Sequence, residues 1–345
     1  MDHDHDHDHD HDHDHDHDHE DGHQRKGGLL GRLRRLGSHD HDHGSQLIET
    51  NAAGIRASKV SLVGLGITTV LQAILVVITG SVALLSDTLH NATDALTAIP
   101  LWIAFSLGRR NSSKKFTFGL NRAEDLAGLI IVSAIAVSAV AVAWTSIDRL
   151  LDPRPLDHVP WVIIAGLIGA VGNELVAEYR INVGRRIASA ALIADGHHAR
   201  ADALTSLAVV AAGVGAGFGV TWVDPVAGLV VAGLILILLR RSAGRVFGRL
   251  LDGVDPALVD QTSAVARAVD GVLSVDDIRM RWHGHRMLIT LVVGVDPSLP
   301  VRDGHRIAEA VNHELIHAFP FTTEALVHID PSGEHETHVK TGHHS

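Results

Sequence analysis

The chain of 345 residues contains no cysteine, so disulfide bonds and thiolate metal sites are both excluded. Any bound metal must therefore be held by His, carboxylate or carbonyl groups. Aromatic residues are only 4% of the chain and charged residues only 20%, whereas hydrophobic residues reach 46%. This balance is more typical of a membrane protein than of a soluble enzyme. The N-terminus also lacks the apolar stretch of a cleaved signal peptide, which favours a cytoplasmic N-terminus.

An excess of basic residues is missing as well. The formal net charge is −11, but residues 2–21 alone hold 11 of the 40 acidic residues, which leaves 29 acidic residues against 29 Lys and Arg. The body of the chain is therefore close to neutral. This charge gives no reason to expect nucleic acid as a partner.

Two stretches of alternating Asp and His precede the apolar part of the chain. Residues 2–19 are nine Asp-His repeats, and a shorter run follows at residues 39–43. Such sequence cannot build a core, so we predict a disordered tail over residues 1–50 and a second polar tail over residues 332–345. Each neutral imidazole and each carboxylate is a potential ligand, so the first tail could collect or buffer cations.

Six apolar segments predict six membrane-spanning helices. The first has 21 residues without a charge, and a helix needs about 20 to cross a bilayer. These segments place the transmembrane domain at residues 55–245. They are residues 60–80, 82–107, 126–147, 160–182, 187–217 and 222–239.

The distribution of basic residues predicts the orientation of these spans. The segments after spans two, four and six contain Arg109, Arg110, Lys114, Lys115, Arg122, Arg180, Arg185, Arg186, Arg240, Arg241, Arg245 and Arg249. The opposite loops contain no basic residue at 80–81 or 219–223, and residues 148–158 have two Arg offset by three Asp. Because basic residues mark the cytoplasmic face, both termini are predicted to be cytoplasmic. The chain is thus expected to be an integral, multi-pass membrane protein.

Residues 250–331 have the pattern of a soluble α+β domain. The periodicity predicts two helices, one of which begins with proline, and three strands. The predicted order is helix Pro256–Val269, strand Val275–Trp282, strand Met287–Val295, helix Val301–Ala318 and strand Thr323–Ile329. The predicted fold is an all-α six-helix transmembrane domain followed by a small cytoplasmic α+β domain, ferredoxin-like or metallochaperone-like.

Two pairs of polar residues lie within the apolar segments at the same spacing. His90 and Asp94 are four residues apart in the second span, and His198 and Asp202 repeat that spacing in the fifth. Residues four apart lie on one face of a helix. Ionisable groups at membrane depth are costly and normally serve a function, and two His with two Asp form a tetrahedral set that zinc accepts. The alternative is that each pair is a helix-surface hydrogen bond near the membrane interface.

The sequences around these pairs resemble the cation diffusion facilitator family. The resemblance rests on Ser86-Asp-Thr-Leu-His90-Asn-Ala-Thr-Asp94, on His197-His198-Ala-Arg-Ala-Asp202, and on Phe118-Gly-Leu-Asn-Arg122-Ala-Glu. It extends over about residues 58–331. Members of this family are homodimers that exchange a divalent cation for protons across a membrane.

The resemblance implies a transport site formed by His90, Asp94, His198 and Asp202. In the family, two His with two Asp accompany zinc, so the resemblance implies proton-coupled efflux of Zn²⁺ from the cytoplasm, across what we expect to be a bacterial cell membrane. It also implies a charge interlock between Arg122 and Asp252, at the junction of the two domains. The alternative is that these are two independent charges.

The resemblance further implies regulatory cations in the cytoplasmic domain, at the dimer interface. His305, His328 and Asp330 match ligand positions of the family, and Zn²⁺ is the expected regulatory ion. The match is incomplete because Asp276 stands where the family often has a His and Val292 occupies another ligand position. His283 and His285 could contribute ligands instead, and the alternative is a set of surface histidines without a metal.

Other functions remain to be weighed against zinc efflux. The same fold could carry manganese, iron, cobalt or cadmium, because affinity order alone rarely sets selectivity. A metal-sensing membrane scaffold without transport is a second alternative. A membrane metalloenzyme such as an intramembrane hydrolase would need a motif such as His-Glu-x-x-His within a span, but the chain has this pattern only at residues 19–23 and 313–317, outside all six predicted spans. Two further polar residues remain open: Asn173 could line the ion path, and Arg200 could pair with Asp195 or Glu174.

Overall fold

A computed structural model describes residues 40–79, 82–152, 158–220 and 222–333, without the side chains of residues 40–48, 79, 82–87 and 90. All contacts given below lie within residues 44–345, which form one compact unit. Most of the predicted Asp-His tail lies outside the described residues, as do residues 334–345 of the predicted C-terminal tail.

Seven helices form the N-terminal part of the described chain. Five of them, α1 and α4 to α7, are long and apolar enough to cross a membrane. The helices are α1 (Asp40–Thr79), α2 (Val82–Ala95), α3 (Ala98–Gly108), α4 (Ala123–Leu151), α5 (Val159–Arg186), α6 (Ala190–Gly217) and α7 (Val223–Leu250).

The second predicted span is not one continuous helix. A turn at Leu96 and Thr97 separates α2 from α3, so the six predicted spans correspond to five long helices and one broken one. Pro100 explains the break, because proline has no N–H to donate to the carbonyl of Leu96 and its ring would clash with that carbonyl in a continuous helix. The Leu96 carbonyl instead accepts the N–H of Ile99 at 3.0 Å.

Helix α6 lies at the centre of the bundle. It packs along α5 and also contacts α4 and α7, while α4 and α7 pack against each other. Gly196 allows the close approach of α6 to α5, because a Cβ at this position would lie 3.0 Å from the carbonyl oxygen of Ala177. The outer faces of the bundle expose apolar side chains such as Val77 and Val137, as expected of a surface that contacts lipid.

The C-terminal domain contains the predicted α+β elements. It consists of α8 (Pro256–Arg267), β1 (Ser274–His283), β2 (Arg286–Val295), α9 (Val301–Ala318) and β3 (Thr322–Pro331). Each element ends within two residues of its predicted boundary.

The three strands form one sheet in the order β1-β2-β3. A tight turn joins the antiparallel strands β1 and β2, whereas β3 runs parallel to β2 and is reached through α9. Buried Leu291, Val293 and Leu315 belong to the core between the sheet and the helices. The turn between β1 and β2 points towards the membrane domain, where it contacts residues of α1 and α4.

Candidate metal centre

Three of the four predicted transport-site residues meet in the middle of the helix bundle. His198 Nε2 lies 3.7 Å from Asp94 Oδ1, and His198 Nδ1 lies 3.9 Å from Asp202 Oδ1. Asp94 comes from the end of α2, and the other two come from successive turns of α6. The side chain of His90 lies outside the described residues, although its backbone is one helical turn before Asp94.

The size and burial of this cluster suit a small cation. One potential ligand atom from each residue lies within 4.8 Å of the others, and all three residues are buried. Ligands at about 2.1 Å from a tetrahedral ion lie about 3.4 Å apart, so these atoms need only small movements to share one cation. Among the described residues, this is the only group of three or more His, Asp and Glu residues that could hold a metal.

Side-chain amides connect α2 to its neighbours close to this cluster. Asn91 donates to Gln72 Oε1 of α1 at 2.7 Å, and Asn173 of α5 donates to Asn91 Oδ1 at 3.4 Å. All three side chains are buried. Asn173 thus contacts the helix that carries Asp94, whereas Gln72 and Asn91 were not predicted as functional residues. The sequence did carry a signal for Gln72, because it is a polar amide within the apolar first span.

A buried ion pair lies one helical turn before His198. Arg180 Nε is 3.0 Å from Asp195 Oδ2, and the two side chains are only 1% and 0% exposed. The Thr97 hydroxyl, in the turn between α2 and α3, donates to the Asp94 carbonyl at 2.7 Å and lies 3.3 Å from Asp195 Oδ1. The pair therefore connects α5 and α6 to the break that follows Asp94.

The structure corrects the predicted environment of Arg180. The pattern of basic residues predicts a position in the loop after the fourth span, but Arg180 lies within α5 and is buried in the bundle. Of the two candidate partners for Arg200, the structure selects Glu174 at 2.6 Å, together with Glu178 at 2.8 Å. Asp195 does not pair with Arg200 because Arg180 occupies it from α5.

Arg122 and Asp252 form an ion pair in the structure. Arg122 Nη2 lies 2.8 Å from Asp252 Oδ1, and both side chains remain more than 40% exposed. Arg122 precedes α4 and Asp252 follows α7, so the pair lies where the membrane domain meets the C-terminal domain.

The turn with His283 and His285 docks against the membrane domain. His285 Nδ1 is 2.7 Å from Glu124 Oε2, its Nε2 is 3.1 Å from Thr50 Oγ1, and both His285 and Glu124 are buried. Between the two histidines, the Gly284 N–H donates to Asp125 at 3.3 Å. The ring nitrogens of His285 therefore contact membrane-domain side chains in this structure.

His283 and Arg249 also lie at the contact between this turn and the membrane domain. Burial lowers the pKa of His283 to about 4, and the neighbouring positive charge of Arg122 acts in the same direction. Arg249 of α7 donates to the carbonyl of Gly284 at 3.2 Å and lies 4.1 Å from the centre of the Trp282 ring. His283 and His285 thus occupy the contact between the two domains.

The other predicted regulatory residues lie on the C-terminal domain without forming a metal-sized cluster in the described chain. His328 Nε2 is 3.1 Å from Asp330 Oδ1 on β3, and exposed His305 faces Glu309 at 4.0 Å. Asp276 accepts a hydrogen bond from Ser274 Oγ at 2.8 Å. The strand register places Val292 beside both Asp276 and His328.

Comparisons with known proteins find matches to both domains of the chain. The family model described as the cation efflux transmembrane domain matches residues 58–251, and the model of the cation efflux protein cytoplasmic domain matches residues 254–332. A probable cation efflux system protein of Mycobacterium tuberculosis (strain H37Rv) is 49% identical over 304 residues, covering 87% of this chain and 91% of that protein.

More distant similarities extend to a protein named for manganese efflux and to a solved C-terminal domain. The manganese efflux system protein MneP of Bacillus subtilis is 28% identical over 264 residues, which cover 73% of this chain and 87% of that protein. A solved nickel form of the MamM C-terminal domain is 26% identical, with a TM-score of 0.22, over 22% of this chain and 98% of that chain.

Proposed function

The chain belongs to the cation efflux family, and we propose that its cargo is Zn²⁺, carried out of the cytoplasm in exchange for protons. The members of this family are transporters of divalent cations and not enzymes. The convergence of Asp94, His198 and Asp202 inside the helix bundle is the observation that supports this site. We propose that His90, on the same helix as Asp94, supplies the fourth ligand.

Ligand chemistry favours zinc as the cargo. Imidazole suits zinc and related transition metals, whereas sites for magnesium, calcium and manganese usually consist of oxygen ligands. Two imidazoles and two carboxylates provide the tetrahedral set that Zn²⁺ accepts. Manganese is the second candidate, because one relative is named a manganese efflux system protein and two of the four proposed ligands are carboxylates.

Exchange with protons follows from the same ligands. His must be neutral and Asp ionised to bind a metal, so cation binding releases protons. Protonation of the site from the outer side would then weaken binding and help to release the cation. His198 and Asp202 are buried, so a charge on either of them interacts strongly with the other residues of the cluster.

The remaining predictions complete the proposed transporter. We propose a homodimer in a bacterial cell membrane, with both termini and the C-terminal domain in the cytoplasm. In this orientation the Asp-His tail of residues 1–50 lies on the side from which zinc enters and could collect it there. The predicted regulatory cation site of His305, His328 and Asp330 remains part of the proposal, to be completed by a partner protomer.

Uptake into proteoliposomes tests the cargo and the site together. Wild-type protein is expected to transport Zn²⁺ in preference to Mn²⁺, and Asp202→Asn is expected to reduce zinc transport roughly tenfold or more, since even changes around metal ligands cost 10–100-fold. The matched control is Asp260→Asn, which changes an exposed Asp of α8. Preferential transport of Mn²⁺ would rule out zinc as the cargo, and full transport by Asp202→Asn would rule out the site.

A pH gradient tests the exchange with protons. Zinc uptake is expected to rise when the vesicle interior is made more acidic than the outside, and uptake should alkalinise the interior. If the uptake rate does not depend on the gradient, the proposed proton exchange is wrong, although zinc transport itself could still be correct.

A further inference from the structure

We propose that a cleft between the membrane domain and the C-terminal domain binds a phosphate-bearing anion, either an anionic phospholipid headgroup or free phosphate. The cleft has a volume of about 590 Å³. Its walls come from the segment that follows α3, from α1 and from strands β2 and β3 of the C-terminal sheet. This inference does not depend on which cation the transporter carries.

Positive charge dominates the walls of this interdomain cleft. Arg109, Arg110 and Arg286 line it, and Glu324 is the only acidic residue among its lining side chains in the described chain. The segment of residues 109–121 adds Lys114 and Lys115 close by and contains no acidic residue. A concave surface with one sign of charge raises the local concentration of anions.

Among the described residues, no carboxylate lies within ion-pair distance of the three lining arginines, as is also true of exposed arginines outside the cleft such as Arg302. Such partners are present for Arg122, Arg149, Arg180 and Arg200, which pair with Asp252, Asp224, Asp195 and Glu174. No described acidic group pairs with Arg109, Arg110 or Arg286. A ligand phosphate would provide the missing negative charge and could accept several guanidinium hydrogen bonds at once.

Arg286 has a buried donor at the cleft. Its Nε is buried and has no hydrogen-bond partner among the described residues. Burial lowers the pKa of this guanidinium, and the negative charge of Glu124 offsets that effect only in part. An unsatisfied buried donor is costly, so a bound anion that accepts its hydrogen bond would stabilise the protein.

Neutral donors complete a surface suited to phosphate. Ser112 and Thr117 line the cleft from the segment after α3, and Thr323 lines it from β3. His283 also faces the cleft and is neutral near pH 7, because its pKa is about 4. Hydroxyl, imidazole and guanidinium groups are the side chains that commonly bind phosphate oxygens.

The cleft lies at a suitable height for a lipid headgroup. Helix α3 ends at Gly108, and the charged segment begins with Arg109, where the apolar part of this span ends. Basic residues at this level occur in membrane proteins without any specific ligand, because they fix the orientation. Arg286 needs a different explanation, since it belongs to the C-terminal sheet and not to a segment that flanks a span. A headgroup held between Arg109 and Arg286 would join the two domains.

Thermal unfolding of the full-length protein tests this inference without any transported cation. The protein in phosphatidylcholine nanodiscs is compared with the protein in nanodiscs that also contain phosphatidylglycerol, and detergent-solubilised protein is titrated with inorganic phosphate. A saturable rise in Tm with phosphate identifies a site for the free anion. A rise only with phosphatidylglycerol identifies a site for the lipid headgroup.

Substitutions of the lining arginines show whether the rise in Tm comes from binding in this cleft. Arg286→Gln is expected to reduce the affinity for the stabilising anion about tenfold or more, which is the typical contribution of a charge-assisted hydrogen bond. The double change Arg109→Gln and Arg110→Gln provides a second test on exposed residues that should not affect folding, and Arg302→Gln, an exposed arginine of α9, is the matched control. The inference is overturned if neither ligand raises Tm, or if all variants respond as the wild type does.

Discussion

The buried pair of Arg180 and Asp195 allows a prediction whose size follows from the structure. Both side chains are almost completely buried, and their charged atoms are 3.0 Å apart. Asp195→Asn leaves the guanidinium without its counter-charge inside the bundle. Removing one partner of a buried ion pair costs about 3–5 kcal/mol. For a domain of this size, such a loss lowers Tm by roughly 6–20 °C.

The double variant distinguishes a lost charge partner from a lost shape. Arg180→Met is expected to be as destabilising as Asp195→Asn, because it leaves a buried carboxylate without its cation. Combining Arg180→Met with Asp195→Leu should recover most of the stability, since apolar residues often replace a buried ion pair at little cost. Thermal unfolding in one detergent, analysed as a double-mutant cycle, measures the coupling between the two residues.

An exposed pair provides the control for this experiment. Arg149 and Asp224 also join two helices, α4 and α7, but the side chain of Arg149 is 44% exposed. Asp224→Asn is therefore expected to change the free energy of unfolding by less than about 1 kcal/mol. If Asp195→Asn lowers Tm no more than Asp224→Asn does, the reasoning about the buried pair is refuted.

Three further predictions concern the joint between the domains. Gly284→Ala should destabilise the docked turn by about 1–3 kcal/mol, because φ is +64° and a Cβ would lie 2.6 Å from the Asn121 carbonyl oxygen. Faster proteolysis between the two domains would show this destabilisation. Unchanged proteolysis would contradict the prediction. The pKa of His283 is about 4 in the folded protein, below its ordinary value of 6.5, so the unfolded chain takes up this proton at higher pH than the folded protein does. The stability of the fold should therefore fall as pH drops from about 6.5 to 4. His283→Gln should reduce this dependence of Tm on pH. Asn accepts the positive φ of 57° at position 252, so Asp252→Asn removes only the exposed ion pair with Arg122. The free energy of unfolding should change by less than about 1 kcal/mol. A larger change would show that the pair joins the domains more strongly than an exposed ion pair does.

Much of the local structure could be predicted from the sequence because it depends on short-range patterns. The spacing of His198 and Asp202 places both on one helix face whatever the helix packs against. The alternation and turn residues of β1 and β2 likewise define a hairpin before any tertiary contact is known. Pro100 carried a signal for the broken second span, but the apolar run around it outweighed that signal in the prediction.

Contacts between distant segments depended on the tertiary structure. The resemblance to a known family suggested that Arg122 meets Asp252, but no local pattern relates Arg180 to Asp195 or His285 to Glu124. His285 has the residue type of a metal ligand, and only the docking of its turn shows that it contacts Glu124 and Thr50. The residue types and helix faces of the candidate metal centre were thus determined by the sequence, because helix geometry is local. Which buried charges neutralise each other was decided by the fold, because pairing depends on how separate helices and domains pack.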